Sequence, residues 1–255
     1  MSIWGKVIGG AAGFALGGPI GALIGAIGGH VVDKFRTGAA QTDPGAFAAD
    51  DDHRLGRDQR QVAFTIAVIA LGAKLAKVDG VVTRDEIAVF KRVFRIPAGD
   101  MGEVGAIFNE AKRTAHGFEP YADQVARLFR RNPAVLEELL DALFLIAKAD
   151  GVVHEAERDY LRKVARIFGF DRGRFERIEA RHQAPETADP YEVLGIAHDA
   201  SDAAIKARHR KLVLENHPDK LTAQGMPPEF VELAEDKLAV INAAYDRIRG
   251  QRGLR

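Results

Sequence analysis

Residues 202–219 read DAAIKARHRKLVLENHPD, and this stretch decides how the C-terminal part of the chain folds. Apolar side chains at helical spacing define one face of a predicted helix: Ile205, Leu212 and Val213. Basic side chains crowd another face: Lys206, Arg210 and Lys211. Asp202 is the expected N-cap, because its short carboxylate can accept the first free backbone N–H groups. Pro218 ends the helix, since the residue before a proline is pushed out of helical geometry.

A second helix follows the tripeptide His217-Pro218-Asp219. It is predicted to begin near Pro227-Pro228-Glu229, because a proline in the first turn of a helix loses no hydrogen bond. Residues at helical spacing then run through it: Phe230, Leu233, Ala234, Lys237, Leu238, Ile241, Ala244, Tyr245 and Ile248. The two helices would form a hairpin whose tip carries an imidazole and a carboxylate. We assign no catalytic residue, because groups that flank a proline do not face each other as base and orienting acid, and no nucleophile motif accompanies them.

This hairpin resembles the J-domain of DnaJ-type co-chaperones from about Asp189 to Gly250. The sequence DPYEVLGI at residues 189–196 is similar to the short first helix of that family, whose side chains would pack into the hairpin: Tyr191, Val193 and Leu194. The resemblance implies a signature that stimulates ATP hydrolysis by a DnaK-type chaperone: His217, Pro218 and Asp219. It also implies a basic face that docks on this partner: Lys206, Arg210 and Lys211. His209 stands where the family often has tyrosine.

The overall composition restricts both the fold and the partners. The chain has 255 residues, with room for one or two domains, and its 36 basic and 36 acidic side chains cancel. Without a net charge, nothing favours nucleic acid as a partner. Cysteine is absent, which excludes disulfides and thiolate metal sites and agrees with a reducing compartment. Because strand signals are scarce and long stretches have helical period, the expected fold class is all-α.

Residues 1–36 are predicted to be a membrane anchor. The 23 residues from Val7 to Gly29 carry no charge, and as a helix of roughly 35 Å they could cross the hydrocarbon core of a bilayer. Glycine occurs at every fourth position: Gly5, Gly9, Gly13, Gly17, Gly21, Gly25 and Gly29. On a transmembrane helix this spacing makes a groove that lets two backbones approach closely, so we expect a homodimer. A signal peptide and a flexible leader are the competing interpretations.

The ends of this segment resemble those of the DjlA-type membrane-anchored DnaJ-like proteins. They read WGKVIG at residues 4–9 and IGGHVVDK at residues 27–34. In that family a glycine-bearing span precedes a cytoplasmic body and mediates dimer formation. The flanking charges are too similar to decide the orientation. The resemblance therefore implies a single-pass protein of the bacterial inner membrane, with the bulk of the chain in the cytoplasm beside its ATP-dependent partner.

The middle of the chain contains a repeat. The sequence AKVDGVV at residues 76–82 returns as AKADGVV at residues 147–153, and in each copy a glutamate follows the glycine by six positions. An amphipathic run comes next, so each copy is predicted to be a helix, a glycine turn and a second helix. We expect residues 58–182 to form a bundle of about seven helices. Residues 37–57 and 183–188 are predicted to be linkers, and residues 189–251 are predicted to form the J-domain.

The two Asp-Gly turns do not match a calcium-binding EF-hand loop, because apolar and lysine side chains stand where oxygen ligands are needed. The repeat instead resembles the TerB-like domain, which implies a divalent-metal or ligand site built from the turn acids: Asp79, Glu86, Asp150 and Glu157. A structural role competes with this interpretation. Glu86 completes a capping box with Thr83, whereas His154 replaces the cap residue in the second copy and leaves Glu157 without that role.

Two functions follow from these patterns. The first is a membrane-anchored co-chaperone whose J-domain stimulates a DnaK-type chaperone, with the TerB-like domain as a recruiting or sensing module. Such a protein is not an enzyme and requires no cofactor. The alternative is a metal- or ligand-responsive membrane stress-response scaffold that acts through the TerB-like domain. Titration of that domain with calcium or zinc would separate the two.

Overall fold

The computed structural model describes the following parts of the chain: residues 18–23, 56–78, 88–91, 96, 99, 101–113, 117–183 and 188–253. Within these ranges every regular element is helical, which confirms the predicted all-α class. The principal helices are α1 (Arg57–Leu75), α2 (Met101–Arg113), α3 (Glu119–Leu128), α4 (Pro133–Ala147), α5 (Glu155–Ile167), α6 (Arg172–Arg181), α7 (Pro190–Leu194), α8 (Asp202–Glu215), α9 (Pro218–Ala223) and α10 (Val231–Arg252). Short helical stretches also lie at residues 18–23, 88–91 and 228–230.

Helix α1 lies at the centre of the N-terminal bundle. Almost every residue from Gln61 to Leu75 is buried, and α2, α3 and α4 pack against it. A helix that is buried all round is typical of a protein core. The hydroxyl of Tyr160 on α5 donates a hydrogen bond of 2.9 Å to the carbonyl of Leu71 and ties α5 to α1. Helices α1 to α6 therefore form a helical bundle around one apolar core.

Only a short part of the predicted membrane anchor is described. Residues 18–23 are helical, and Ile20 and Leu23 are buried in the core of the bundle. The backbone N–H of Ile20 donates a hydrogen bond of 2.9 Å to Oε1 of Gln124 on α3. The sequence predicts that lipid surrounds this stretch, whereas the structure buries Ile20 and Leu23 in the protein core. Both environments remove apolar side chains from water. Of the glycine groove only Gly21 is described; the other six glycines lie outside the described residues, as does most of the linker 37–57.

No helix among the described residues is both long and apolar enough to cross a membrane.

Helices α7 and α8 begin at well-defined caps. Asp189 caps α7, its Oδ1 accepting the N–H of Tyr191 at 2.9 Å. The cap of α8 is Ser201, whose Oγ accepts the N–H of Ala204 at 3.3 Å. The expectation that Asp202 is this cap was therefore wrong by one residue. Asp202 is the first residue of the helix, and its carboxylate contacts the guanidinium of Arg252 at 3.2 Å.

Helices α7, α8 and α10 enclose a small apolar core. Its buried members include Tyr191, Val193, Leu194, Ile205, Leu212, Ile241, Ala244 and Ile248. The predicted packing of the short first helix into the hairpin is thus confirmed. The predicted apolar face of α8 is confirmed as well, since Ile205 and Leu212 are buried and Val213 is half-buried.

The connection between α8 and α10 belongs to the other core. Leu221 on α9, Met226 and Phe230 are buried in the bundle, and Ala234 on α10 lies there too. The ring of Phe230 meets that of Phe64 on α1 edge-on, with 4.9 Å between centroids. The sequence predicts the helix that begins near residue 227, but not the short helix α9. Apolar spacing shows which side chains are buried, and it cannot show which of two cores receives them.

Candidate functional site

The His-Pro-Asp tip lies exposed at the start of α9. His217 is the N-cap of α9, and its ring Nδ1 accepts the backbone N–H of Asp219 at 3.3 Å. Pro218 occupies the first position of that helix, where a missing N–H is harmless. The side chain of Asp219 is 95% exposed and that of His217 is 54% exposed. The imidazole and the carboxylate of the tip are therefore accessible to a partner.

Two buried residues that sequence reasoning did not select fix the base of the tip. Nδ2 of Asn216 donates a hydrogen bond of 2.8 Å to the carbonyl of Leu212, the residue one turn earlier on α8. Leu221 is completely buried, and its carbonyl accepts the N–H of Met226 at 3.0 Å. The polar tip therefore lies between two fixed points, the end of α8 at Asn216 and the buried side chain of Leu221. The signal available in the sequence was an asparagine directly before the tripeptide.

The predicted basic face of α8 points to solvent. Lys206, Arg210 and Lys211 are all exposed, whereas Ile205 and Leu212 of the same helix are buried. The nearest carboxylate oxygen to the Lys211 ammonium is that of Glu215, at 3.8 Å. Such an arrangement can present concentrated positive charge to a partner.

His209 has a structural role within the hairpin. Its ring stacks on that of Tyr245 of α10, with 4.0 Å between centroids and an angle of 4° between planes. Its Nε2 also pairs with Oδ1 of Asn242 at 2.8 Å. The position that departs from the pattern of the resembled family thus holds α8 against α10.

A buried charge cluster joins the C-terminal hairpin to the bundle. The ammonium of Lys237 on α10 lies 2.8 Å from Oε1 of Glu138, 3.1 Å from Oε1 of Glu137 and 3.1 Å from Oδ2 of Asp141, all three on α4. Arg181 at the end of α6 reaches Glu137 at 2.9 Å and Asp141 at 3.0 Å. Removing charges from water is expensive unless they are paired, so the cluster depends on its complete set of partners.

The members of this cluster have perturbed pKa values. Burial opposes ionisation of Glu137, but the charges of Lys237 and Arg181 outweigh it and lower its pKa to about 2. Burial dominates at Glu138 and raises its pKa to about 7, despite the contact with Lys237. Burial also opposes the charge of Lys237, but the surrounding carboxylates prevail and raise its pKa. Among the carboxyl groups of the cluster, Glu138 is therefore the one whose pKa lies nearest to neutral pH.

The second Asp-Gly turn is built from its own hydrogen bonds. Oδ1 of Asp150 accepts the N–H of Val152 at 3.0 Å, and Oδ2 lies 3.0 Å from Nε2 of His154. The Val152 N–H and the His154 ring lower the pKa of Asp150. Oε2 of Glu157 accepts the backbone N–H of His154 at 2.9 Å. The sequence leaves Glu157 without a capping role, and this was wrong: a glutamate needs only the backbone N–H of the cap residue, whatever side chain that residue carries.

The predicted metal site is only half described. Asp79 and Glu86 lie outside the described residues, so their distance from Asp150 and Glu157 is not defined. No three His, Asp or Glu side chains within the described ranges are grouped as metal ligands. A metal-responsive role for this turn therefore stays a prediction.

Comparisons with known families match three consecutive parts of the chain. Residues 1–59 match the co-chaperone DjlA transmembrane domain, residues 65–180 match tellurite resistance protein TerB, and residues 189–250 match the DnaJ domain. The first match indicates membrane anchoring. The third covers α7 to α10 together with the His-Pro-Asp tip. No solved structure showed a significant match to the chain.

Curated relatives match over the whole length. The co-chaperone protein DjlA of Photobacterium profundum is 33% identical over 279 residues, covering 99% of this chain and 100% of the relative. Those of Coxiella burnetii and Vibrio cholerae are 32% and 30% identical, and in both cases the match covers 100% of each chain. An all-α bundle joined to an exposed His-Pro-Asp tip defines a co-chaperone of the J-domain class. Within that class, the chain belongs to the DjlA family.

Proposed function

We propose that this protein is a membrane-anchored co-chaperone whose J-domain stimulates ATP hydrolysis by a DnaK-type chaperone. The observation that carries the proposal is the exposed tip of His217 and Asp219, fixed as the start of α9 beside the basic face of α8. The chain itself performs no covalent chemistry. It acts by changing how fast its partner hydrolyses ATP.

The basic face and the tip have different tasks in this mechanism. Lys206, Arg210 and Lys211 attract an acidic surface of the chaperone, which raises the encounter rate and sets the orientation. The tip then contacts the partner better in its hydrolysis-competent state than in its resting state. Such differential contact raises the fraction of chaperone molecules in the hydrolysis-competent state. The hydrogen bond between His217 and Asp219 limits the conformational entropy that the tip loses on binding.

The anchor and the TerB-like domain would determine where in the cell the co-chaperone acts. We infer a single pass through the bacterial inner membrane, with the bulk of the protein in the cytoplasm where ATP is present. The glycine period of residues 5–29 supports pairing of two anchors into a homodimer. The TerB-like domain would recruit or sense a ligand at the membrane. Calcium or zinc should raise its unfolding temperature if that ligand is a metal, and an unchanged temperature would remove metal as the ligand.

Single-turnover ATP hydrolysis by DnaK tests the proposed activity. The full-length protein should accelerate hydrolysis, and Asp219→Asn should abolish most of the acceleration. Asp199→Asn is the matched control, because it removes one carboxylate charge from an exposed residue of the same domain. Equal acceleration by both variants would refute a role for the tip.

A further inference from the structure

A cleft of about 370 Å³ lies between the bundle and the J-domain, directly beside the His-Pro-Asp tip. The bundle lines it with arginines that sequence reasoning did not select: Arg131, Arg174 and Arg177. The J-domain contributes Arg208 and Lys211 of α8 and Lys220, the residue that follows Asp219. Lys211 thus belongs both to the basic face of α8 and to the wall of the cleft. The two surfaces are continuous.

Positive charge dominates this cleft. Among the described residues that line it, seven are basic and two acidic. One of the two acids, Glu137, is already engaged by Arg174 at 2.6 Å and by Arg181 and Lys237. Its charge is therefore shared among three cations. The cleft retains an excess of positive charge that favours an anionic occupant.

Arg177 and Arg208 show most clearly that the charge is unbalanced. Arg177 lies over Gly195, where a side chain would collide with its aliphatic part, and so it extends from α6 onto the J-domain. It makes no hydrogen bond or ion pair with another residue that the structure describes. Nε of Arg208 donates to the carbonyl of Leu194 at 2.8 Å. Burial and the neighbouring Arg208 charge lower the pKa of Arg177, so an anion placed between the two guanidinium groups would be stabilised.

We propose that this cleft is a second docking surface for the DnaK-type chaperone, which would place an acidic segment between the bundle and the J-domain. The proposal rests on the proposed function. Its occupant follows from two observations: the excess of arginine, whose planar guanidinium groups suit carboxylates, and the continuity of the cleft with the basic face through Lys211. The TerB-like domain would then contribute directly to chaperone affinity, in addition to any recruiting role.

The test compares variants of the full-length protein for binding to DnaK and for stimulation of hydrolysis. Arg131→Gln/Arg177→Gln removes two cleft charges without touching the tip or α8. Lys163→Gln/Arg166→Gln is the matched control, because it removes two exposed charges of the bundle outside the cleft. The double variant should bind about tenfold more weakly at low salt, because it removes two charges that would attract the acidic segment. Its affinity should also depend less steeply on salt, and hydrolysis at saturation should be unchanged.

Several outcomes would overturn the proposal. One is wild-type affinity and salt dependence in the double variant. Another is a double variant that binds DnaK like the wild type but no longer binds inorganic tripolyphosphate, which would make the cleft a site for small anions. The same result with phosphatidylglycerol vesicles would make it a site for lipid. A lowered unfolding temperature would show that the double variant is misfolded. In that case Arg131→Gln alone, at an exposed position, should still weaken binding several-fold. Wild-type protein that binds DnaK without accelerating hydrolysis would refute the proposed function alone.

Discussion

The two halves of helix α10 serve two different cores. In the first half, Ala234 is buried in the bundle and Lys237 pairs with three carboxylates of α4. In the second half, Ile241 and Ile248 pack on α7 and α8 within the J-domain. One continuous helical period runs through both halves. A domain boundary read from the sequence therefore need not separate two independently packed units. Here a single helix belongs to both cores and fixes the J-domain relative to the bundle.

The largest effect should come from the buried charge of the first half. Lys237→Met removes the cation that Glu137, Glu138 and Asp141 share, and it leaves buried carboxylates without their partner. We expect a loss of about 3–5 kcal/mol in the free energy of unfolding, measured with urea. Lys163→Met, at an exposed position of α5, is the control and should have little effect. A loss as small as the control's would show that the cluster does not hold α10 to the bundle.

Next in size is the apolar packing of the second half. Ile248→Ala leaves a cavity at a fully buried position and should lower the free energy of unfolding by about 2–4 kcal/mol. Val240→Ala on the same helix is the control, because Val240 is partly exposed. Hydrogen exchange should show the loss of protection in α7 and α8 first, with α1 to α5 retained. Equal loss of protection throughout the bundle would mean that the two cores do not separate.

Glu138 should give the first half of α10 a stability that depends on pH. Its pKa is raised from 4.5 to about 7, so the folded state binds more protons than the unfolded state between these values. The free energy of unfolding should therefore fall as pH rises from about 4.5 to 7, and Glu138→Gln should remove roughly 2–3 kcal/mol of that fall. Glu235→Gln, on the exposed side of α10, should leave the slope unchanged. An identical slope in wild type and Glu138→Gln would contradict the raised pKa.

The smallest effect concerns the exposed face of α8, a helix that packs on the second half of α10 through the stacked rings of His209 and Tyr245. Lys206→Glu/Arg210→Glu should weaken binding to DnaK about tenfold at low ionic strength and much less at 0.5 M salt, because exposed charges are screened. Lys163→Glu/Arg166→Glu reverses two exposed charges of the bundle and is the control. A loss of affinity that is independent of salt would contradict steering.

Much of the hairpin could be predicted because its signals are local. Ile205 and Leu212 are two helical turns apart, and Pro218 ends the helix wherever the rest of the chain lies. The prediction of Asp202 as N-cap failed because the adjacent Ser201 has a similar capping preference and takes the position.

The interface with the bundle could not be predicted, since it joins residues far apart in sequence. Lys237 and Glu138 are separated by 99 positions. A lysine on an otherwise apolar face was nevertheless a signal of a buried ion pair, because charged side chains are rarely buried alone.

The most direct test of the central claim is single-turnover ATP hydrolysis by DnaK in the presence of the full-length protein or its His217→Gln variant. His217 caps α9 and is exposed, so the variant should keep the unfolding temperature of the wild type to within a few degrees. We expect acceleration by the wild type and the unstimulated rate with the variant. Equal acceleration by both proteins would show that the exposed tip is not what acts on the chaperone.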